Sequence, residues 1–377
     1  MQKANHARGL RFLSKLAFIT TVGLISAAIA YQAPAQTVVT DPVGFITLTA
    51  TGVTSTAGLY NLWSLGMTQV PVLRGLTTTI SGKQVTLDQA LSPGQYNESN
   101  TVGSAFDPSY FVEFTSGPYA GFMDDIVSND TAAIYTATDD SGTISAGVTY
   151  KIYPHWTIGL VFGPQNQAGL QGGGSGAAAD EIEVWNPITM SSAAGTYYYK
   201  TTTALGGTGW RSTGNTSINV SNTVLYIDQG IEVERRTGAG NVNLLLVGAV
   251  KLSNTISVIY GTNSIGTGFT FAGNVYPAGI PLGTSGLYTG NSATGLNGGG
   301  SGAAADEVLV WNPNAQSFAA TTYYYKTTTA LGGTGWRSTG NTSIDCSTNQ
   351  IPLGDIVKIQ RRIKGSFNWI VPQPFVQ

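Results

Sequence analysis

The feature that most constrains the fold is a segment of about 65 residues that occurs twice in the chain, offset by 126 positions. Gly172–Glu181 and Gly298–Glu307 both read GGGSGAAADE. Tyr197–Ile218 is identical, letter for letter, to Tyr323–Ile344. A repeat of this length indicates two folded modules of one design rather than a short solenoid unit. Such a duplication favours a binding or structural protein over an enzyme with a single catalytic centre.

Residues 1–35 have the pattern of a secretory signal peptide. Basic residues precede the apolar run Leu16–Ala30, and Ala33-Pro34-Ala35 forms an A-x-A cleavage site before Gln36. The alternative is an uncleaved N-terminal anchor, but the apolar run is short for a membrane span. We therefore predict a protein that is secreted, periplasmic or at the cell surface. We expect no transmembrane segment after cleavage.

Charge and cysteine usage exclude several classes of function. Removing residues 1–35 takes away four basic residues and no acidic ones, so the formal net charge falls from −2 to −6. Because no basic field remains to hold a polyanion, nucleic acid is not expected as a partner. Cys346 is the only cysteine, which rules out an intramolecular disulfide. It replaces Val220 of the first copy, and this indicates a small apolar core position.

The periodicity predicts an all-β fold with little helix. Short alternating apolar runs are separated by Gly, Asn and Asp turn signals, and no segment sustains a helical period. We predict tandem β-sandwich or barrel-like modules of short antiparallel strands. An echo of Tyr153-Pro154 at Tyr276-Pro277 extends the repeat upstream of the near-identical block. The predicted regions are the signal peptide (1–35), an N-terminal β region (36–105), a first copy of the β module (106–239) and a second copy (240–377).

The order of several short motifs resembles a known family. Val39–Phe45 at the mature start is followed by Tyr60–Leu65, then Tyr153-Pro154-x-Trp156, Val184-Trp185-Asn186 and Arg235-Arg236. This order, over roughly residues 37–236, resembles a family of secreted, β-rich proteins of unknown function from Verrucomicrobia and Planctomycetes. The resemblance implies export and a β-rich fold, and it implies no activity or catalytic residue. The present chain departs from the family pattern in having its C-terminal module duplicated.

The mature chain contains few groups suited to catalysis. His155 is its only histidine, and Ala278 stands at the matching position in the second copy. A lone histidine between proline and tryptophan is more often a packed residue than a general base. The glycine-rich stretch Gly169–Gly176 lacks the Gly-Lys-Ser/Thr of a phosphate loop. No His, Cys and carboxylate cluster has metal-ligand spacing. We predict no enzymatic activity, no catalytic residue, no metal and no cofactor.

Two sets of carboxylates invite comparison with glycosidases and calcium sites. Asp180-Glu181 recurs as Asp306-Glu307. Adjacent strand residues point to opposite faces, so neither pair can hold one sugar between two carboxyls. A structural role is favoured, with a contact to Ca²⁺ or to a sugar hydroxyl as the alternative. The second set lacks the spacing of a calcium loop; it comprises Asp124, Asp125, Asp130, Asp139 and Asp140.

The double arginines that close each copy have a simple interpretation. Arg235-Arg236 and Arg361-Arg362 end predicted strands. Alternation places one arginine inward and one outward in each pair. We expect a carboxylate partner for them, from Asp180 or Glu232.

Aromatic residues of the repeat are the best candidates for a binding site. Exposed Tyr and Trp rings beside polar side chains can stack on the apolar faces of sugars. Trp185 and Trp311 are expected in the core, whereas Trp210 and Trp336 could equally be core or surface residues. The candidate binding residues are Tyr198, Trp210, Arg211, Tyr324, Trp336 and Arg337.

Three hypotheses for the function follow. The first is an exported structural or interaction protein without catalytic activity, whose modules associate with each other or with neighbouring molecules. The alternative is a tandem module that binds extracellular polysaccharide with avidity. The second alternative is an extracellular polysaccharide hydrolase that uses carboxylates.

Overall fold

The computed structural model describes residues 41–53, 58–98, 108–236, 240–261, 268–318 and 321–375. The predicted signal peptide and both predicted domain boundaries, at residues 105–106 and 239–240, coincide with or adjoin residues outside these ranges. Strands make up 41% of the chain and helices 5%, so the predicted all-β class is confirmed. The described part of the chain from Asp41 onward forms one compact unit.

The chain begins with two strands and then enters a small barrel. The first strands are β1 (Val43–Ala50) and β2 (Leu59–Trp63). The barrel strands are β3 (Leu73–Ser81), β4 (Gln84–Leu87), β5 (Tyr110–Phe114), β6 (Phe122–Asn129), β7 (Ala133–Thr136) and β8 (Thr149–Pro154). They close in the order β3-β4-β7-β6-β5-β8. Their inward side chains form a separate apolar core that includes Val112, Phe114 and Ile134.

The first copy of the repeat follows the barrel. Its elements are β9 (Trp156–Thr157), α1 (Ile158–Phe162), β10 (Glu181–Val184), β11 (Thr196–Lys200), β12 (Gly209–Ser212), β13 (Val224–Leu225), β14 (Ile231–Arg235) and β15 (Val242–Ala249). A five-stranded antiparallel sheet has the order β12-β11-β10-β14-β2. The edge strand β2 therefore comes from the part of the chain that precedes the barrel, whereas the other four strands follow it. Strand β15 pairs along its full length with β1.

The second copy repeats this arrangement. Its strands are β16 (Thr255–Ile259), β17 (Gly268–Gly273), β18 (Ile280–Pro281), β19 (Glu307–Val310), β20 (Thr322–Lys326), β21 (Gly335–Ser338), β22 (Gln350–Ile351), β23 (Ile356–Arg361) and β24 (Phe367–Val371). The five-stranded sheet has the order β21-β20-β19-β23-β17, and β16 pairs with β24. Strand by strand, β17 takes the place of β2, and β24 takes the place of β15.

The barrel is therefore an insertion into the first module. That module consists of β1, β2 and β9–β15, whereas the second runs without interruption from β16 to β24. By its pairing, β15 completes the first module although it follows residue 240, and the barrel takes strands from both sides of residue 106. The repeat is thus longer than its near-identical block, because β1 and β2 kept the pairing pattern without the sequence.

Equivalent tryptophans connect the two modules through hydrogen bonds. The Trp185 indole donates to the Phe269 carbonyl at 3.2 Å, and the Trp311 indole donates to the Tyr60 carbonyl at 3.2 Å. Tyr60 and Phe269 are equivalent positions of β2 and β17, opposite Glu234 and Gln360. Each module thus contacts the fifth strand of the other in the same way, as expected for a pseudo-two-fold pair.

Candidate functional site

The side chains predicted to bind sugar are buried. All six lie below 5% exposure: Tyr198, Trp210, Arg211, Tyr324, Trp336 and Arg337. The Trp210 ring packs between Phe162 and Tyr199, and its indole donates to the Gly163 carbonyl at 2.8 Å. The predicted binding role requires rings that face solvent, so their burial contradicts it; Trp210 and Trp336, which the sequence left open between core and surface, lie in the core.

Arg211 follows Trp210 on the strand and points to the opposite face, yet it is buried as well. The Arg211 guanidinium folds back and donates to the carbonyls of Trp210, Gly206 and Thr208. It thereby closes the turn that precedes β12. Arg337 does the same in the second copy. These arginines are used by their own turns and are not free to bind a ligand.

The repeated carboxylates and double arginines pair with each other. Arg235 contacts Asp180 at 2.8 Å in the core, and Arg236 contacts Glu181 at 2.6 Å near the surface. In the second copy Arg361 pairs with Asp306, and Arg362 pairs with Glu307. The predicted Asp180 partner, the inward and outward alternation and the structural role of the carboxylates are therefore confirmed. Burial without a charge partner would strongly penalise such groups.

A cavity of about 220 Å³ lies where the barrel meets both modules. The barrel contributes Asp125 of β6, and His155 follows β8. The first module contributes Trp185 and the turn that holds Asp228, and the second contributes Ser257 of β16. Within the described ranges, the second module has no inserted barrel, so no barrel residues form a wall at the equivalent place there.

One wall of this junction cavity carries a hydrogen-bonded polar cluster. The His155 Nε2 lies 2.9 Å from Asp125 Oδ1, and the Tyr226 hydroxyl donates to Asp125 Oδ2 at 2.7 Å. The imidazole is buried between Phe111 and Tyr226, with ring centroids at 4.8 and 5.3 Å. Asp125 thus fixes both neighbouring side chains, a geometry that presents preorganised hydrogen-bonding groups to a ligand.

Asp228 is the most perturbed carboxyl of the cavity. Its pKa is raised to about 6, chiefly by burial and also by the negative charge of Asp125. The Ser257 hydroxyl and His155 lower it. Asp228 is half-buried, and its remaining accessible surface faces the cavity. Ser257 is buried beside it, and its hydroxyl makes no hydrogen bond of standard geometry within the described residues. Both groups have hydrogen-bonding capacity left for a ligand.

Aromatic rings form part of the cavity wall. Trp185, Tyr226 and Tyr260 are half-buried, so part of each ring remains accessible. Trp185 packs at 5.1 Å from Phe271, and its hydrogen bond to Phe269 fixes the indole. Trp185 and Trp311, expected in the core, are only partly buried, whereas Trp210 and Trp336 are the core residues.

Sequence reasoning named His155 and Asp125 without assigning them to a site, and it missed Asp228, although one signal was available. The two copies agree closely, yet Tyr226 and Asp228 are replaced by Pro352 and Gly354 in the second copy. Like His155, they are positions where the copies differ. A comparison of the copies for polar residues lost in one of them would have selected Asp228.

Three glutamates could hold a metal ion by distance alone. Carboxylate oxygens of Glu181, Glu183 and Glu234 all lie within 4.8 Å of one another. Arg236, however, contacts Glu181 at 2.6 Å and Glu234 at 2.7 Å. The guanidinium already supplies the positive charge, so this group is an ion-pair network at the end of β14.

Comparisons of the chain with protein-family models, with curated proteins and with solved structures found no match. The resemblance to the secreted Verrucomicrobia and Planctomycetes family stays a prediction. Among the described residues, no helix has the length and apolar character needed to cross a membrane.

Proposed function

We propose that the protein binds a carbohydrate-like, polyhydroxylated ligand in the junction cavity. The observation that carries the proposal is the half-buried Trp185 ring in the same cavity as the Asp125–His155–Tyr226 cluster. Aromatic faces and fixed hydrogen-bonding groups are the combination that sugar sites use. The site differs from the predicted one, since it uses Trp185 in place of Trp210 and Trp336.

The size and charge of the cavity narrow the ligand class. About 220 Å³ lies below the range of about 300–1,000 Å³ that is typical of sites for drug-sized molecules. We therefore expect a single sugar unit or the end of a chain rather than the middle of a polymer. Asp125 and Asp228 disfavour anionic sugars, because a second negative charge would be repelled at short range.

Replacing Trp185 by alanine is expected to weaken sugar binding about tenfold, since a ring stacked on a sugar contributes about 1–1.5 kcal/mol. A glycan array of neutral and acidic oligosaccharides identifies the ligand, and calorimetry with that oligosaccharide measures the loss. Trp311→Ala is the matched control, because Trp311 makes the equivalent hydrogen bond but does not line the cavity. Equal losses in both variants, or no bound glycan, would contradict the proposal.

A second candidate function is self-association, and an exposed apolar face favours it. The outer face of the β1–β15 ribbon carries Val43, Phe45, Leu245 and Val247, which are between 55% and 70% exposed. Phe45 and Val247 lie directly opposite each other. Neither strand contains a charged residue or a proline, the usual protections against intermolecular contact.

Phe45→Ser is expected to shift the mature protein from dimer to monomer in sedimentation velocity at micromolar concentrations, because it removes the largest exposed ring of the ribbon. Leu160→Ser is the control: Leu160 is 58% exposed and belongs to α1, not to either ribbon strand. A wild-type protein that stays monomeric over a hundredfold range of concentration would eliminate this second function.

A further inference from the structure

Asp140 is a fully buried carboxylate whose oxygens make no hydrogen bond of standard geometry within the described residues. It lies after β7 at one end of the barrel and is 0% exposed. Neither Oδ1 nor Oδ2 has a hydrogen-bond partner among the described residues. The backbone holds it in place, since its N–H donates to the Gly82 carbonyl and its own carbonyl accepts from Thr143 and Ile144. An ionised carboxylate in such surroundings requires compensation by a proton or a cation.

The groups around Asp140 offer oxygen atoms. Asp124 of β6, also buried, is close enough for its negative charge to raise the Asp140 pKa, whereas the nearby Thr136 and Thr138 hydroxyls lower it. Burial is the largest cause that raises the Asp140 pKa, to about 6, and the Asp124 charge adds to it. The Asp140 side chain is thus poorly stabilised as an anion by the protein alone.

The neighbouring donors are already used elsewhere. The Thr138 hydroxyl donates to Asp124 at 2.5 Å, and the Thr136 hydroxyl donates to the carbonyl of Lys83 or Thr138 at 3.0 Å. The Lys83 ammonium donates to the Ala137 carbonyl at 2.7 Å. Each threonine hydroxyl has a single proton, which these bonds use, so the two hydroxyls compensate the Asp140 charge only in part.

We propose that Asp124 and Asp140, with the oxygens of Thr136 and Thr138, bind a hard divalent cation, Ca²⁺ in the first place. Two carboxylates with hydroxyl and carbonyl oxygens are the ligand set that Ca²⁺ prefers. The cation would tie β6 to the loop after β7 and so stabilise the barrel. Residues of the barrel supply the whole set, and the barrel occurs once, so we expect one ion per chain.

The test is a thermal-unfolding comparison of the mature protein in 1 mM CaCl₂ and in EDTA. We expect Ca²⁺ to raise the wild-type midpoint by about 3 °C or more. Asp140→Asn removes the charge while keeping the shape, and should abolish the Ca²⁺ shift. Asp139→Asn is the matched control, because Asp139 is exposed and bonds Ser141 instead.

Calorimetric titration of the metal-free wild type with CaCl₂ provides a second measurement that does not depend on the variants, with one ion per chain expected. An identical midpoint in CaCl₂ and EDTA for the wild type, together with no heat of Ca²⁺ binding, would overturn the proposal. It would indicate a protonated Asp140. An equal Ca²⁺ shift in wild type and Asp140→Asn would also overturn the assignment of these ligands.

Discussion

Trp210→Ala is expected to lower the free energy of unfolding by about 3–5 kcal/mol, the range for removing a large aromatic side chain from a packed core. Trp210 is fully buried, and its ring contacts Phe162 and Tyr199. The substitution also leaves the Gly163 carbonyl without the indole N–H at 2.8 Å. Urea denaturation followed by circular dichroism measures the loss.

The half-buried tryptophans supply the comparison for this result. Trp185→Ala and Trp311→Ala should each cost about 1–2 kcal/mol, because less apolar area is lost and the hydrogen bonds at 3.2 Å are long. If Trp210→Ala costs no more than Trp311→Ala, the ring does not carry the packing of the first module. A surface role for Trp210 would then have to be considered again.

Lys251→Met is expected to lower the free energy of unfolding by about 3–5 kcal/mol, since it leaves a buried carboxylate without its counterion. Lys251 Nζ lies 2.5 Å from Glu113 Oε1, and both side chains are fully buried. Lys251 follows β15 and Glu113 belongs to β5, so this pair joins the barrel to the repeat. The ammonium also donates to the Ser253 hydroxyl at 2.8 Å. Urea denaturation of the mature protein gives the difference.

A double substitution distinguishes the cost of an unpaired charge from the cost of lost packing. Lys251→Met combined with Glu113→Leu should recover most of the lost stability, because replacing a whole buried pair with apolar residues is often neutral. Lys83→Met is the control for an exposed lysine, with an expected change within about 0.5 kcal/mol. A double variant less stable than Lys251→Met alone would show that the cost does not come from the unpaired Glu113.

Differences between the copies at the junction of the modules have a physical basis. Gly230 and Ile356 are equivalent positions, and a Cβ on Gly230 would lie 2.6 Å from the Ile356 Cδ1 atom. Glu232 and Lys358 are likewise equivalent. Burial and the charge of Glu183 raise the Glu232 pKa to about 7, and Lys358 lowers it. At these junction positions the two copies differ in size and in charge in a complementary way.

The sequence predicted those features that depend on local pattern. Alternation and turn residues gave the all-β class, and the repeat gave two modules of one design. The Asp180–Arg235 pair could be predicted because a carboxylate and an arginine recur at fixed places and alternation turns both inward. Cys346 was placed in the core from its exchange with Val220, and it is 5% exposed.

Exposure of the aromatic residues could not be predicted in the same way. Alternation assigns a side chain to one of two faces, but it does not say which face another layer covers. The sequence left Trp210 open between core and surface, and the packing of Phe162 and Tyr199 against its ring places it in the core. Trp185 had the signature of a core residue and lies at the edge of a cavity.

The duplication of Gly172–Glu181 at Gly298–Glu307 was thus sufficient to establish two equivalent β modules, because identical local sequences form identical strands and turns. The position of the barrel between β2 and β9, and the cavity that follows from it, were decided by the tertiary structure alone. Asp125, His155, Asp228 and Ser257 are far apart in the chain and share no motif. Only the packing of the inserted barrel against both modules brings them to one site.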